Sequence, residues 1–171
     1  ARVVVAATDS QYGLQPDAVE AVLSPRTRAV VTISPNNPSG AVYDAKALRQ
    51  INDMCRQRGI VHISDEAYEY FTYDDVQHTS PASFRDSAEH TVSLFSFSKS
   101  YALANWRVGY MVAPRWLLRG LQKSQDTILI CPPVVSQHAA VGALAAGRAY
   151  CQPFIDELGR VRSMALDHLA P

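Results

Sequence analysis

Cysteine is scarce. The three present, Cys55, Cys131 and Cys151, are too few and too far apart for a disulfide framework, and none forms a C-x-x-C pair of the zinc or redox kind. A reducing compartment is the expectation. An excess of either charge is also lacking: 16 Lys and Arg offset 16 Asp and Glu. No long-range field therefore draws the chain toward nucleic acid, an anionic membrane or an acidic substrate, and a charged ligand has to be held by local groups. No stretch approaches the roughly 20 apolar residues of a membrane span. The opening ARVVVAATDSQYG does not have the charged-then-apolar layout of a signal peptide. Internal repeats, low-complexity tracts and long linkers are missing too. What is present, 47% hydrophobic and 19% charged over 171 residues, is the composition of a globular domain with material for one real core. A cytoplasmic location is expected.

Short β-rich runs alternate with helical stretches, which is the pattern of an α/β fold. A short strand is expected around Val3 to Ala7, then a helix from Pro16 or Asp17, where proline suits the first helical position. The continuous β-branched run RAVVTIS, Arg28 to Ser34, reads as a strand buried on both faces. From Asp44 to Arg58, Leu48, Ile51, Met54 and Cys55 share one helical face, with Asp44 as N-cap and Gly59 as the stop. Further strands are IVHIS (60–64), TVSLFS (91–96) and VGYMVA (108–113). A polar connection over 74–90 either covers a site or runs along the surface. Pro114 opens a helix with Leu117, Leu118 and Leu121. An alanine-rich helix follows over 134–146, and from Tyr150 onward a long helix is expected to bend near Gly159.

Three successive strands run into polar clusters at their carboxyl ends, where open α/β sheets bind ligands. These are Asn36-Asn37-Pro38-Ser39-Gly40, then Asp65-Glu66-Ala67-Tyr68, then Ser96-Phe97-Ser98-Lys99. Singly, each has an ordinary explanation. NNPSG is a turn, unless Asn37 aims its amide at a ligand. Asp65, after an apolar strand, is a cap or an ion-pair member, or it is functional, because a partly buried carboxylate needs a partner. Glu66 reads as a neighbour in a hydrogen-bond network rather than a reactive acid, and Tyr68 as packing. Lys99, at a strand end between two serines, is poorly placed as a solubilising charge. Arg107, eight residues on, could pair with Asp65 or hold a phosphate.

Taken together, SPNNPSG, SDEAY and SFSKSYALANWRVGY, in this order and at these separations, resemble the signature segments of the class I and II aminotransferases, the fold-type-I family of pyridoxal-phosphate enzymes. The resemblance covers nearly the whole chain. It implies a three-layer α/β/α domain with a mostly parallel sheet and one antiparallel strand. It also implies pyridoxal 5′-phosphate as cofactor, with an amino group passed between an amino acid and a 2-oxo acid through a Lys99 Schiff base. By the same resemblance Asp65 pairs with the pyridine nitrogen, and Tyr68 and Asn37 hydrogen-bond the ring's phenolic oxygen. Ser96, Ser98 and Arg107 hold the phosphate, a guanidinium offering it two parallel bonds. Catalysis is thereby assigned to Lys99, Asp65 and Tyr68. The partners implied are small molecules and a second copy in a homodimer, with neither nucleic acid nor membrane.

A complete member of that family is more than twice as long. Residues 1–171 are therefore expected to be the central part of the cofactor-binding large domain, with 148–171 a helix leading toward a small domain. The family's glycine-rich phosphate loop, its ring-stacking aromatic residue and its carboxylate-gripping arginine find no match here, and Arg148, Arg160 and Arg162 lie in the wrong context for the last. Asn105 stands where the family usually has glycine and is expected to accept left-handed backbone there. The same cofactor residues also serve C-S lyases, decarboxylases and synthases, and a cofactor-sensing domain of a transcription regulator can retain the lysine without turnover.

Overall fold

The β-rich runs assemble into one four-stranded sheet in the computed structural model, which describes residues 1–169. The strands are β1 (Ala29–Ile33), β2 (Val61–Asp65), β3 (Thr91–Ser96) and β4 (Gly109–Val112), lying side by side in chain order. The first three are parallel, with Ile33 level with Asp65 and Asp65 level with Leu94. β4 returns antiparallel, setting Ser96 against Gly109. The mixed sheet with one antiparallel strand is thus the one expected.

The helices are α1 (Pro16–Val22), α2 (Ala45–Arg58), α3 (Leu118–Ile128) and α4 (Val134–Leu169), with short 3-10 turns at Pro81–Ser83, Ala104–Trp106 and Arg115–Leu117. α2 forms as its sequence directs. The Asp44 carboxylate accepts from the backbone N–H groups of Lys46 and Ala47, and Gly59 ends the helix in the left-handed conformation at φ 63°. Its apolar face buries Leu48, Ile51 and Cys55 completely, each aliphatic side chain contributing roughly 1.5–3 kcal/mol. Ile51 and Cys55 meet Val19 of α1, Val30 and Ile60 in one core. A second core joins Phe97, Tyr101 and Val108 to Ala140, Cys151 and Ile155 of α4.

Four expectations need correction. Residues 3–7 form no strand: Val3 and Val5 are more than four-fifths exposed, and strand propensity has no effect without a ladder partner. β1 is not buried on both faces, because Val31 lies 61% exposed while Val30 and Thr32 point into the core. The break in α4 falls at Gly147 (φ 63°, ψ −166°), a backbone region open essentially to glycine, and Gly159 remains helical. Left-handed backbone near the Trp-Arg pair is adopted by Ala102 and Arg107, not by Asn105, which lies within a 3-10 turn. The expected helix over 148–171 is seen to Leu169; positions 170 and 171 lie outside the described residues.

Between α2 and the sheet lies a buried polar chain. Asn52 donates from Nδ2 to Nδ1 of His62 at 3.0 Å and to Oγ1 of Thr91 at 2.8 Å. With Nδ1 accepting, Nε2 of His62 carries the hydrogen and donates to Oγ1 of Thr32 at 2.9 Å. Nε2 of His90 completes the chain by donating to Oδ1 of Asn52 at 3.0 Å. Protonating His62 would break the Asn52 bond in a fully buried site. Burial, aided by the charge of His90, accordingly lowers its pKa from 6.5 to about 4.

Two outcomes follow from this packing. Between pH 6.5 and about 4 the unfolded chain binds a proton that folded His62 refuses. Stability is therefore full above that window and falls as pH drops through it, by about 3 kcal/mol across the whole span. Urea unfolding should show this loss in the wild type and much less of it in His62→Gln; equal pH dependence in the two would refute the account. The second concerns Gly109, where an added Cβ would lie 2.6 Å from the backbone oxygen of Phe95. Gly109→Ala should destabilise by about 1–3 kcal/mol, and an unchanged melting temperature would contradict the close approach.

Candidate active site

Strand register gathers the polar clusters at one edge. β1 and β2 end level, β3 runs two residues further to Ser96, and β4 starts beside Ser96, so residues 34–40, 65–68, 96–99 and 107 all lie at the carboxyl edge of the parallel strands. Alternation then sorts the side chains by face. Leu94 stands level with Asp65, and Ser96 follows two residues on, so Asp65 and Ser96 share a face.

The turn after β1 is locked by its own polar groups. Asn36 donates its N–H to the carbonyl of Ala41 and its carbonyl accepts from the N–H of Gly40, both at 2.8 Å, with Gly40 at φ 75°. The side chain of Asn36 is occupied by the Ser39 hydroxyl at 2.8 Å, so Asn37 is the amide left to face outward. Its Nδ2 donates to the Tyr68 hydroxyl at 3.3 Å. Lys99 Nζ lies 5.4 Å from the centroid of the same tyrosine ring, within the range of a cation–π contact. A shallow cavity of about 210 Å³ opens beside them, lined by Pro35, Asn37, Pro38, Gly40, Tyr68 and Phe71.

The expected residues thus divide into two groups. Asn37, Tyr68 and Lys99 touch or face one another directly. Asp65, Ser96, Ser98 and Arg107 flank them but are each engaged in a local turn. Asp65 Oδ1 accepts from the N–H of Ala67 at 3.1 Å, and Ser96 Oγ accepts from the N–H of Ser98 at 3.1 Å. Arg107 Nη1 donates to the carbonyl of Ala104 at 2.8 Å, so the Arg107–Asp65 pair considered from the sequence is not formed. Lys99 is exposed rather than tucked into the strand end. It is held out from an anchored turn, because Phe97, Ser100 and Tyr101 on either side are buried.

Phe71, edge-on to Tyr68 with ring centroids 6.0 Å apart, was not anticipated from the sequence. Nor were His78 and Ser80, which reach Glu66 from the connection to β3. The only signal for them was Glu66 itself, on the buried face of β2. Beyond it Glu69 is half-buried, and its carboxyl is pushed up to about 7 by burial, with His78 lowering it, Glu66 raising it and Arg148 lowering it.

One primary amine, one carboxylate, a phenol with an amide, and two hydroxyls with a guanidinium therefore meet at the carboxyl edge of a parallel sheet. That donor set suits a planar anionic ligand bearing an electrophile, and it marks an α/β enzyme domain of the cofactor-binding class. The comparisons with known proteins agree. The family described as aminotransferase class I and II matches residues 1–164. The chain belongs to that family. The aromatic-amino-acid aminotransferase 2 of Thermococcus litoralis is 37% identical over 142 residues, covering 83% of this chain and 36% of that protein. The aspartate aminotransferase of Pyrococcus abyssi is 36% identical over the same shares of each. The solved aromatic aminotransferase of Pyrococcus horikoshii superposes with a TM-score of 0.87 at 34% identity, covering 94% of this chain and 44% of that one. The chain thus spans about two-fifths of the length of the relatives it matches, and its fold is the three-layer α/β/α fold of these enzymes.

Proposed function

We propose that this chain is the central, cofactor-holding part of the large domain of a pyridoxal-phosphate-dependent aminotransferase, acting between an amino acid and a 2-oxo acid. The observation that carries the reading is the meeting of Lys99, Tyr68 and Asn37 at the sheet edge, beside Asp65 and Ser96 on a shared face. Family membership and the names of the relatives support it. The reading includes a cytoplasmic homodimer of the full-length protein, working in amino-acid metabolism and biosynthesis. Among the described residues no helix is long and apolar enough to cross a membrane.

Pyridoxal 5′-phosphate, when bound, supplies an aldehyde for amines and a protonated ring that draws electrons from the substrate's Cα. The protein's own groups do the rest. Lys99 is the nucleophilic amine, and when free it is the base that takes the proton from Cα. Asp65 would pair with the ring nitrogen and keep its proton in place. Tyr68 and Asn37, already joined to each other, orient the phenolic edge. Ser96 and Ser98 offer hydroxyls to the phosphate. Arg107 uses one N–H on Ala104 and keeps the rest of its fork open to an anion.

Full-length protein mixed with the cofactor should turn yellow, and borohydride should fix the cofactor to the peptide containing Lys99. Identical absorption spectra for wild type and Lys99→Ala would refute the assignment. Asp65→Ala should bind and still label at Lys99 while losing on the order of 100-fold in turnover; steady-state kinetics showing full activity would remove Asp65 from the site.

A further inference from the structure

Glu66 follows Asp65 directly, yet strand alternation turns it to the opposite face, the one that carries His62 and Ser64. It is completely buried. A carboxylate so placed has to be bonded at both oxygens. Oε2 accepts from Nε2 of His78 at 2.8 Å, and Oε1 accepts from the hydroxyl of Ser80 at 3.0 Å. A carboxylate only accepts, so the hydrogen of His78 is on Nε2. Its Nδ1 is buried without a partner among the described residues.

The two partners lie 12 and 14 residues further along the chain. One side chain therefore closes the whole loop that leaves β2, passes through Tyr68 and approaches β3. The backbone is pinned at the same point. Asp65 accepts at its carbonyl from the N–H of Ser34 at 3.1 Å, Glu66 donates its N–H to Leu94 at 2.9 Å, and Glu69 donates to the carbonyl of Glu66 at 3.0 Å, opening the turn that bears Tyr68. If stability were the sole demand, an apolar contact could close this loop without desolvating a carboxylate. The polar clamp sits instead on the residue between Asp65 and the turn of Tyr68.

We propose that Glu66, by gripping His78 and Ser80, is a positioning residue that sets where Asp65 and Tyr68 meet the cofactor ring. The proposal rests on the cofactor reading given above. Asp65 and Tyr68 address opposite sides of the ring's electronics, its nitrogen and its phenolic oxygen. A shift of the turn that carries both changes the colour and titration of the bound cofactor, which a purely structural staple would leave alone.

The test uses full-length protein loaded with pyridoxal phosphate, with visible absorption followed across pH beside kcat, KM and melting temperature. Glu66→Ala should move the midpoint of the spectral titration and lower kcat on the order of 10-fold or more, as small misplacements do. Ser80→Ala, which removes one arm, should move the midpoint less but in the same direction. Glu66→Gln, still able to join both partners, should stay near wild type. A Glu66→Ala protein that melts earlier yet keeps the wild-type titration and kcat overturns the proposal. If that variant does not fold, the same result in Ser80→Ala overturns it. Glu66→Gln behaving like alanine would assign the effect to charge rather than position and overturn it as well. A wild-type protein that stays colourless is a different failure, since it removes the cofactor reading itself.

Discussion

Three parallel strands held in register, their carboxyl ends within two residues of one another, are the constraint on which the rest depends. Ile33, Asp65 and Leu94 stand in one row, so the turns after β1 and β2 leave the sheet at the same height, and the turn after β3 leaves two residues beyond, at Ser96. None of those turns is a site alone. Each becomes part of one because hydrogen-bond register, which tolerates no gradual slippage, fixes it beside the next. The antiparallel return of β4 brings Arg107 to the same edge from the other direction, and the close approach of Gly109 to Phe95 sets how tightly it does so.

The sheet also divides labour between its faces. One face carries Asp65 and Ser96 toward the open side. The other carries Thr32, His62, Thr91 and Glu66 into the protein, where Asn52, His90, His78 and Ser80 satisfy them. An interior this polar is costly wherever it is only partly bonded, as at Nδ1 of His78 and the hydroxyls of Ser64 and Ser93 among the described residues. Here its members have complementary roles, with Asn52 donating twice and accepting once. Neighbours in sequence can therefore do unrelated work, as Asp65 and Glu66 do.

Much of this was legible in the amino-acid sequence because local rules and tertiary packing agree. α2 is bounded by Asp44 and Gly59 for reasons contained in those two residues, and the runs expected as strands at 91–96 and 60–64 form strands at 91–96 and 61–65. The residues of the edge were legible for a different reason, since three clusters in fixed order carry a family resemblance that no single cluster has. What failed depended on partners that a sequence does not display. Val3 to Val5 have strand propensity but no ladder to join, and Val31 has a strand's composition without a covering layer. Gly147 and Gly159 are equivalent as letters, yet the backbone breaks at the first and stays helical at the second. His78 and Ser80 sit in a polar connection whose anchoring role depends on a carboxylate more than ten residues away.

The local bonds made by the flanking site residues bear on how the edge can take a ligand. Asp65, Ser96 and Arg107 are each held by one bond to a nearby backbone group. The Ser96 bond, between neutral groups, is worth about 1 kcal/mol net in water, and the charge-assisted bonds of Asp65 and Arg107 about 1.5–3 each. Under the proposed reading, an ionised ligand group displaces these single bonds by making several charge-assisted bonds at once to a carboxylate or a guanidinium fork, while the backbone bond keeps the side chain ordered beforehand. Lys99 follows the same logic with different means. Its amine is exposed, but burial of Phe97, Ser100 and Tyr101 fixes the turn beneath it, so little backbone freedom is left to lose when the amine is engaged.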